Sequence, residues 1–543
     1  MTPLNNTTNP APPPPQGPPK VMSHVNLMTD TVIANLPPVA LRSILRALLS
    51  AADPSVTASF EARTREYLMS KKTTSSFSAS RGETEKEEDA AAAAGIVRAT
   101  VGCGMCWEAV EILAGDGGGG VVLRGGIGDG DVVQGITAVQ KSLVTTTGKK
   151  GTGEERERLQ RLLQALETHD GGGGGLERSI ASLRALLGLA SPPTMQDAAG
   201  LQPCITCTVP PLSTRIETFA LGSRVLPRLF SGLWQLSSPS WGTSTTASIQ
   251  SQFQTYAAQG FTAYDMADHY GDAEILFGKF RSSCSDPEAT FGATKYCVFV
   301  PTEITRELVA ANVTERCSRM GSNHVDLLQF HWQNYEDTTY LDALRYLQED
   351  SRVRMLALCN FDTQRMEGIV QAGIKIHTNQ VQFSLIDSRP ISKMGAACKK
   401  HDIKLLTYGT LCGGFLADKW LGRPEPELFL ESITPSQRKY YEMIVNWGGW
   451  QLFQELLQAL RDIATKHHVA ISNVATRWVL DFPYVGAVIV GTRMGVSGHA
   501  EGNLATYGWT LDEQDQAAIE HVLSKSRRDK MIELLGDCGG EYR

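Results

Sequence analysis

FTAYDMAD (261–268), TFGATKYC (290–297) and VDLLQFHW (325–332) decide the fold. Each is a short, mostly apolar run carrying an ionisable side chain near its end. Runs of that kind suit parallel strands buried on both faces. Five more follow the pattern: RLFSGLWQL (228–236), RMLALCN (354–360), TNQVQFSL (378–385), IKLLTYGT (403–410) and VGAVIVGT (485–492). Helix-length segments separate most of them, among them 246–259, 305–320, 336–350 and 451–468. Eight buried strands with crossover helices predict an α/β chain closed as a (β/α)8 TIM barrel. In such a barrel the chemistry sits at the C-terminal strand ends. Asp265, Asp268, Lys295, His331, Asn360 and Tyr408 are placed there, and buried polar groups are costly unless paired or used.

Before the barrel the texture differs. Residues 1–24 are read as a Pro-rich disordered tail and 25–170 as an interrupted helical region. A Gly-rich linker with a connecting helix is expected over 171–215, the barrel over 216–527 and a tail over 528–543. PPVALRSILRALLS (37–50) reads as a helix with a stripe of Leu41, Ile44, Leu45 and Leu48. Phe60, Thr64, Tyr67 and Leu68 mark a second helix, and Leu159, Leu162, Leu163 and Leu166 a later one. Residues 71–91 are expected to be unfolded, and the Gly runs 117–120 and 171–175 to be flexible. No chemistry is legible in this region.

The chain has 543 residues and a net charge of −7. That is no basic field for nucleic acid or an anionic membrane. No apolar run is long enough to span a bilayer. The 11 Cys form no framework, which fits a reducing, cytoplasmic setting. Cys103 and Cys106 lack the companion ligands a metal needs, so none is expected.

Asp265, Tyr270, Lys295 and His331 form a possible acid–base set. A phenol titrates near pH 10. A neighbouring ammonium lowers that value, so Lys295 is expected to pull Tyr270 down while Asp265 holds Lys295. His331 is placed to bond a substrate oxygen.

These residues, with YDMADHYG (264–271), TK (294–295), LCNF (358–361), NQVQFSL (379–385), TYGTLCGGFL (407–416) and GTRMGVSGHAEGN (491–503), make residues 224–525 resemble the aldo-keto reductase superfamily. The resemblance implies an NADPH-dependent reduction of an aldehyde or ketone, with Tyr270 as proton donor. It implies cofactor contacts at Gly232, Leu233, Trp234, Asp265, Asn360, Gln380 and Tyr408. It extends them to Gly409, Thr410, Leu411, Gly413 and Lys419, and to Arg493, His499 and Asn503 for the adenosine phosphate. Cys359 stands where Ser is usual, and Gly502 where an acidic residue is common, which leaves NADH open. A slow, redox-sensing subunit with a protein partner on the N-terminal helices is the alternative reading. The stretch 417–450 is either a cap over the mouth or a plain crossover. GDCGGEYR (536–543) carries no assigned role.

Overall fold

The computed structural model describes residues 54–72, 106–114, 153–170 and 176–187 of the N-terminal part, with a few single residues around them. It then describes 207–237, 244–299, 301–427 and 433–542. The expectations for 1–24, for 73–91 and for both Gly runs lie outside these residues, as do Leu41, Ile44 and Cys103.

Eight parallel strands close into a barrel: β3 (Leu229–Gly232), β4 (Ala263–Asp265), β5 (Phe291–Val298), β6 (Leu327–Trp332), β7 (Leu356–Cys359), β8 (Thr378–Gln382), β9 (Lys404–Tyr408) and β10 (Val485–Gly491). Each lies within one of the eight predicted runs or overruns it by a single residue. Neighbours in sequence are neighbours in the sheet, and β10 closes it by pairing with β3, Val488 opposite Leu229. A hairpin of β1 (Thr218–Leu221) and β2 (Arg224–Pro227) precedes the barrel. Its Phe219 stacks near Phe230 and against Gly486, at the N-terminal end of the strands. The predicted fold class is therefore the observed one.

Crossover helices cover the sheet. The helices used below are α5 (Thr246–Ala258), α6 (Ala273–Ser283), α7 (Arg306–Arg319) and the later α11 (Pro435–Trp447). Two large clusters dominate the barrel's core, beside a smaller one of Phe230, Phe291, Leu327 and Leu406. One packs Phe253, Tyr264, Phe277, Phe280 and Phe330 between sheet and helices. The other gathers Phe415, Trp447, Phe453 and Leu457 around the helices after β9. Sheets buried on both faces explain the unbroken apolar strands that the sequence displays.

Four helices precede the hairpin: α1 (Pro54–Lys72), α2 (Cys106–Ala114), α3 (Gly153–Asp170) and α4 (Glu177–Leu187). Leu159, Leu162, Leu163 and Leu166 of α3 are buried with Val110, Leu113, Leu183 and Leu187 in a core of their own. Helix α4, read from sequence as a connector, shares that core. The helix marked by Phe60 runs from 54 to 72, so Lys71 and Lys72 are helical rather than unfolded. Its Phe60 and Tyr67 are exposed, as are Leu45 and Leu48. No described helix is long and apolar enough to cross a membrane.

Candidate active site

Strands β3 to β6 are consecutive in the sheet. Their register sets Gly232 beside Asp265, Asp265 beside Ala293, and Cys297 beside His331. That order brings four predicted residues to one mouth. Lys295 Nζ donates to Asp265 Oδ2 at 2.6 Å, to the Met266 carbonyl at 2.9 Å and to the Tyr270 phenol oxygen at 3.4 Å. The ammonium also lies 4.8 Å from the centre of the Tyr270 ring. Asp265, Lys295 and His331 are all under 5% exposed. His331 meets Phe299 and Tyr542 edge-on, with ring centres 5.3 and 5.4 Å away.

Burial pushes the Tyr270 phenol well above its ordinary value. Lys295 pulls it down, as expected from sequence, but by less, and Asp265 pushes it up again. The phenol therefore keeps its proton at neutral pH. Burial acts to discharge Lys295, yet the Asp265 carboxylate, acting together with the Tyr270 oxygen and the Cys359 thiol, more than offsets it and keeps the ammonium charged. A buried charge pair of this kind is tolerated when the remaining lone pairs are filled. Gln329 and Gln380 do so, donating to Asp265 Oδ1 at 2.9 and 2.7 Å. Gln329 was overlooked in the sequence, although a Gln inside the apolar run LLQFHW is itself a signal. Behind the mouth, Glu274 is fully buried and accepts from Thr294 at 2.6 Å and Arg319 at 2.8 Å.

The residues predicted to bind a cofactor fall into three places. Gly232 ends β3 and Leu233 donates to the Asp265 carbonyl, while Trp234 is exposed at the start of a short 3-10 turn. Asn360 directly follows β7, and its side-chain oxygen accepts from the Tyr408 phenol at 2.9 Å. Cys359 Sγ reaches Gln380 Oε1 only at 4.0 Å. The segment after β9 turns at once. Gly409 has φ +71°, and a Cβ there would strike the Tyr440 phenol. Gly413 is also left-handed, Thr410 donates to the Phe383 carbonyl at 2.9 Å, and Leu411 lies partly buried beside it. Lys419 is exposed and lies over Trp420. Arg493 and His499 are exposed on the loop after β10, with Asn503 one helical turn further on. Ser244 and Ser248, at the start of α5, donate to the Gly495 carbonyl in that loop.

This donor set suits a nicotinamide dinucleotide. The side-chain amides of Asn360 and Gln380 could serve its carboxamide, the tight glycine turn after β9 its diphosphate, and the planar fork of Arg493 a further phosphate.

Segment 535–542, left without a role by the sequence, crosses the mouth. Arg389 donates to the carbonyls of Leu535, Gly536 and Asp537 and to Glu541, while Asp387 holds the guanidinium. Gly539 lies so close to the Asn360 carbonyl that no Cβ fits. The segment ends with Tyr542 bonded to Tyr408 at 3.0 Å and to Lys439 of α11 at 3.2 Å. Of the two readings of 417–450, α11 thus takes part at the mouth. Beside it, Phe299, Trp332, Asn334, Asp337 and Tyr542 line a cavity of about 540 Å³.

A family model described as the aldo/keto reductase family matches residues 228–524. An aldo-keto reductase of Bacillus subtilis is 24% identical over 317 residues, covering 56% of this chain and 91% of that protein. Flagellar radial spoke protein 5 of Chlamydomonas reinhardtii is 31% identical over 186 residues, covering 30% of this chain and 35% of that protein. The solved glycerol dehydrogenase of Gluconobacter oxydans superposes with a TM-score of 0.49 at 20% identity, covering 58% of this chain and 97% of that one.

Proposed function

The chain belongs to the aldo/keto reductase family, and from that premise we propose that it reduces an aldehyde or ketone to an alcohol, with Tyr270 as proton donor. Family membership supports an NAD(P)H-dependent oxidoreductase. The observation that carries the finer reading is the Lys295 ammonium, bonded at once to Asp265 at 2.6 Å and Tyr270 at 3.4 Å.

A nicotinamide cofactor held at this mouth would supply the hydride that reaches the carbonyl carbon. Tyr270 keeps its proton because its phenol is buried, so it can give that proton to the carbonyl oxygen. Lys295 then stabilises the phenolate left behind. Asp265, itself held by Gln329 and Gln380, fixes the ammonium. His331 aligns the substrate oxygen, and the aromatic cavity beside it accommodates the substrate's remainder. Asn360, Gln380 and Tyr408 hold the nicotinamide end, Gly232, Leu233 and Trp234 border it, and the turn 409–413 with Lys419 takes the diphosphate. Arg493, His499 and Asn503 hold the adenosine end. The fork of Arg493 favours the 2′-phosphate of NADPH over NADH.

The test is steady-state oxidation of NADPH by the full chain across a panel of aldehydes and ketones. Tyr270→Phe should lower kcat by about 10²–10⁴-fold and leave the cofactor Kd, read by fluorescence quenching, unchanged. A variant as fast as the parent would sink the mechanism.

A further inference from the structure

The turn that carries Tyr270 is gripped from outside the barrel. Tyr270 N donates to the Ala267 carbonyl, and the Tyr270 carbonyl accepts from Ala273 N, both at 3.1 Å. Gly271 and Asp272 form the corner between them. From the barrel side, Arg319 of α7 donates to the Gly271 carbonyl. From the other side, Arg178 of α4 donates to Asp272 through Nε at 2.8 Å and Nη2 at 2.7 Å. The fork is bidentate and nearly dry, with side chains 6% and 2% exposed. Arg178 lies 50 residues before the family match begins at 228. Its helix is rooted in the separate leucine core through Leu183 and Leu187.

Asp272 has a local alternative. It is the N-cap residue of α6, yet its side chain makes no cap hydrogen bond. An Asp in that position ordinarily bonds the backbone N–H groups of its own first turn. Arg178 holds the carboxylate away from that partner. Without the guanidinium, the carboxylate would swing to cap α6 or seek water, and the corner two residues from Tyr270 would be reset.

We propose that the N-terminal helical module is a positioning element of the reductase site: Arg178, acting through Asp272, sets where the Tyr270 phenol stands relative to Lys295. The inference rests on the reading of Tyr270 as proton donor. A bidentate clamp transmits position as well as charge, and a displacement near 1 Å in a reacting group costs about 10²-fold in rate.

The experiment compares the full chain with Arg178→Ala, Arg178→Lys, Asp272→Asn and the double variant R178A/D272N. Arg178→Ala should lower kcat about 10-fold or more, with KM for the carbonyl within about threefold and cofactor Kd within about twofold. Arg178→Lys should recover part of kcat, because it restores the charge without the fork. The double variant should be no slower than the worse single one, since both remove one contact. Hydrogen exchange supplies a readout independent of turnover. Peptides spanning 266–276 should exchange faster in Arg178→Ala, while those from β8 and β9 should not change. Unchanged kcat together with unchanged exchange in 266–276 would overturn the proposal, as would losses that simply add in the double variant. If the parent chain reduces no carbonyl, the reductase reading fails alone, and the exchange data still decide the clamp.

Discussion

The barrel and the helical module before it are both built on buried apolar side chains, yet one announces its chemistry and the other does not. In the barrel the core is interrupted by Asp265, Lys295, Gln329 and Gln380, all at or under 3% exposed and joined through hydrogen bonds to Asp265. In the module, the core of Leu159, Leu162, Leu166 and Leu183 carries no charge, the buried polar groups beside it on α4 include the small hydroxyls of Ser179 and Ser182, and the buried guanidinium of Arg178 is paired outside it. A polar group inside a core has to be explained by what it does there. A leucine face is explained by packing alone.

The sharpest way to break that contrast is to remove chemistry from the barrel. Lys295→Met should cost about 10²–10⁴-fold in kcat, like Tyr270→Phe, but should also lower stability by about 3–5 kcal/mol, because Asp265 is left buried without its cation. Activity assays beside denaturant melts separate the two variants. Equal stability would show that the pair matters for catalysis only.

The matching change in the module is Leu162→Ala, at a fully buried position. It should cost about 2–5 kcal/mol of local stability and leave the tetrad geometry intact. Near-ultraviolet circular dichroism followed through a thermal melt should show an earlier first transition, with the second unmoved. A single transition shifted as a whole would mean that the two regions fold as one unit and that the contrast is false.

Acid should expose a weaker difference. Asp326 lies at the foot of the barrel, bonded to Arg281, His324 and Gly292 N. Burial acts to raise its pKa, but the His324 bond and Arg281 outweigh it and hold the carboxyl below its ordinary value. A depressed carboxylate stabilises the fold above the unfolded value near pH 4 and loses that contribution as pH falls through the folded value. Asp326→Asn should therefore flatten the loss of stability below about pH 4 and leave the neutral range with a constant deficit.

The smallest effect should come from the loop after β10. Arg493→Gln is expected to weaken NADPH by about tenfold, near 1.4 kcal/mol, and NADH by less than about twofold. Equal loss for both cofactors would remove the phosphate role.

Much of the barrel was legible because its signals are local. Each strand is short, apolar on both faces and terminated by a residue whose type the chemistry restricts. Asp265, Lys295 and His331 sit near the ends of successive apolar runs, the family resemblance supplies the order and spacing that join them to Tyr270, and the register then brings their strands together. Other contacts required three dimensions. Arg178 looks like any solvent-facing arginine between leucines, and Asp272 like a helix cap. Arg389 and the segment it clasps are about 150 residues apart, so no spacing rule joins them. The balance at Tyr270 also needed the structure. Its lysine was visible in the sequence, whereas the depth of burial that outweighs it was not.

The segment across the mouth carries a clock. Cys538 is 2% exposed beneath the clasp of Arg389, and burial pushes its thiol far above the ordinary range. Held down, it offers almost no thiolate to an alkylating reagent. Its labelling rate therefore counts how often residues 535–542 lift, at native temperature and without a probe attached. Mass spectrometry of that one peptide, with and without cofactor, turns a hidden sulfur into a measure of opening frequency.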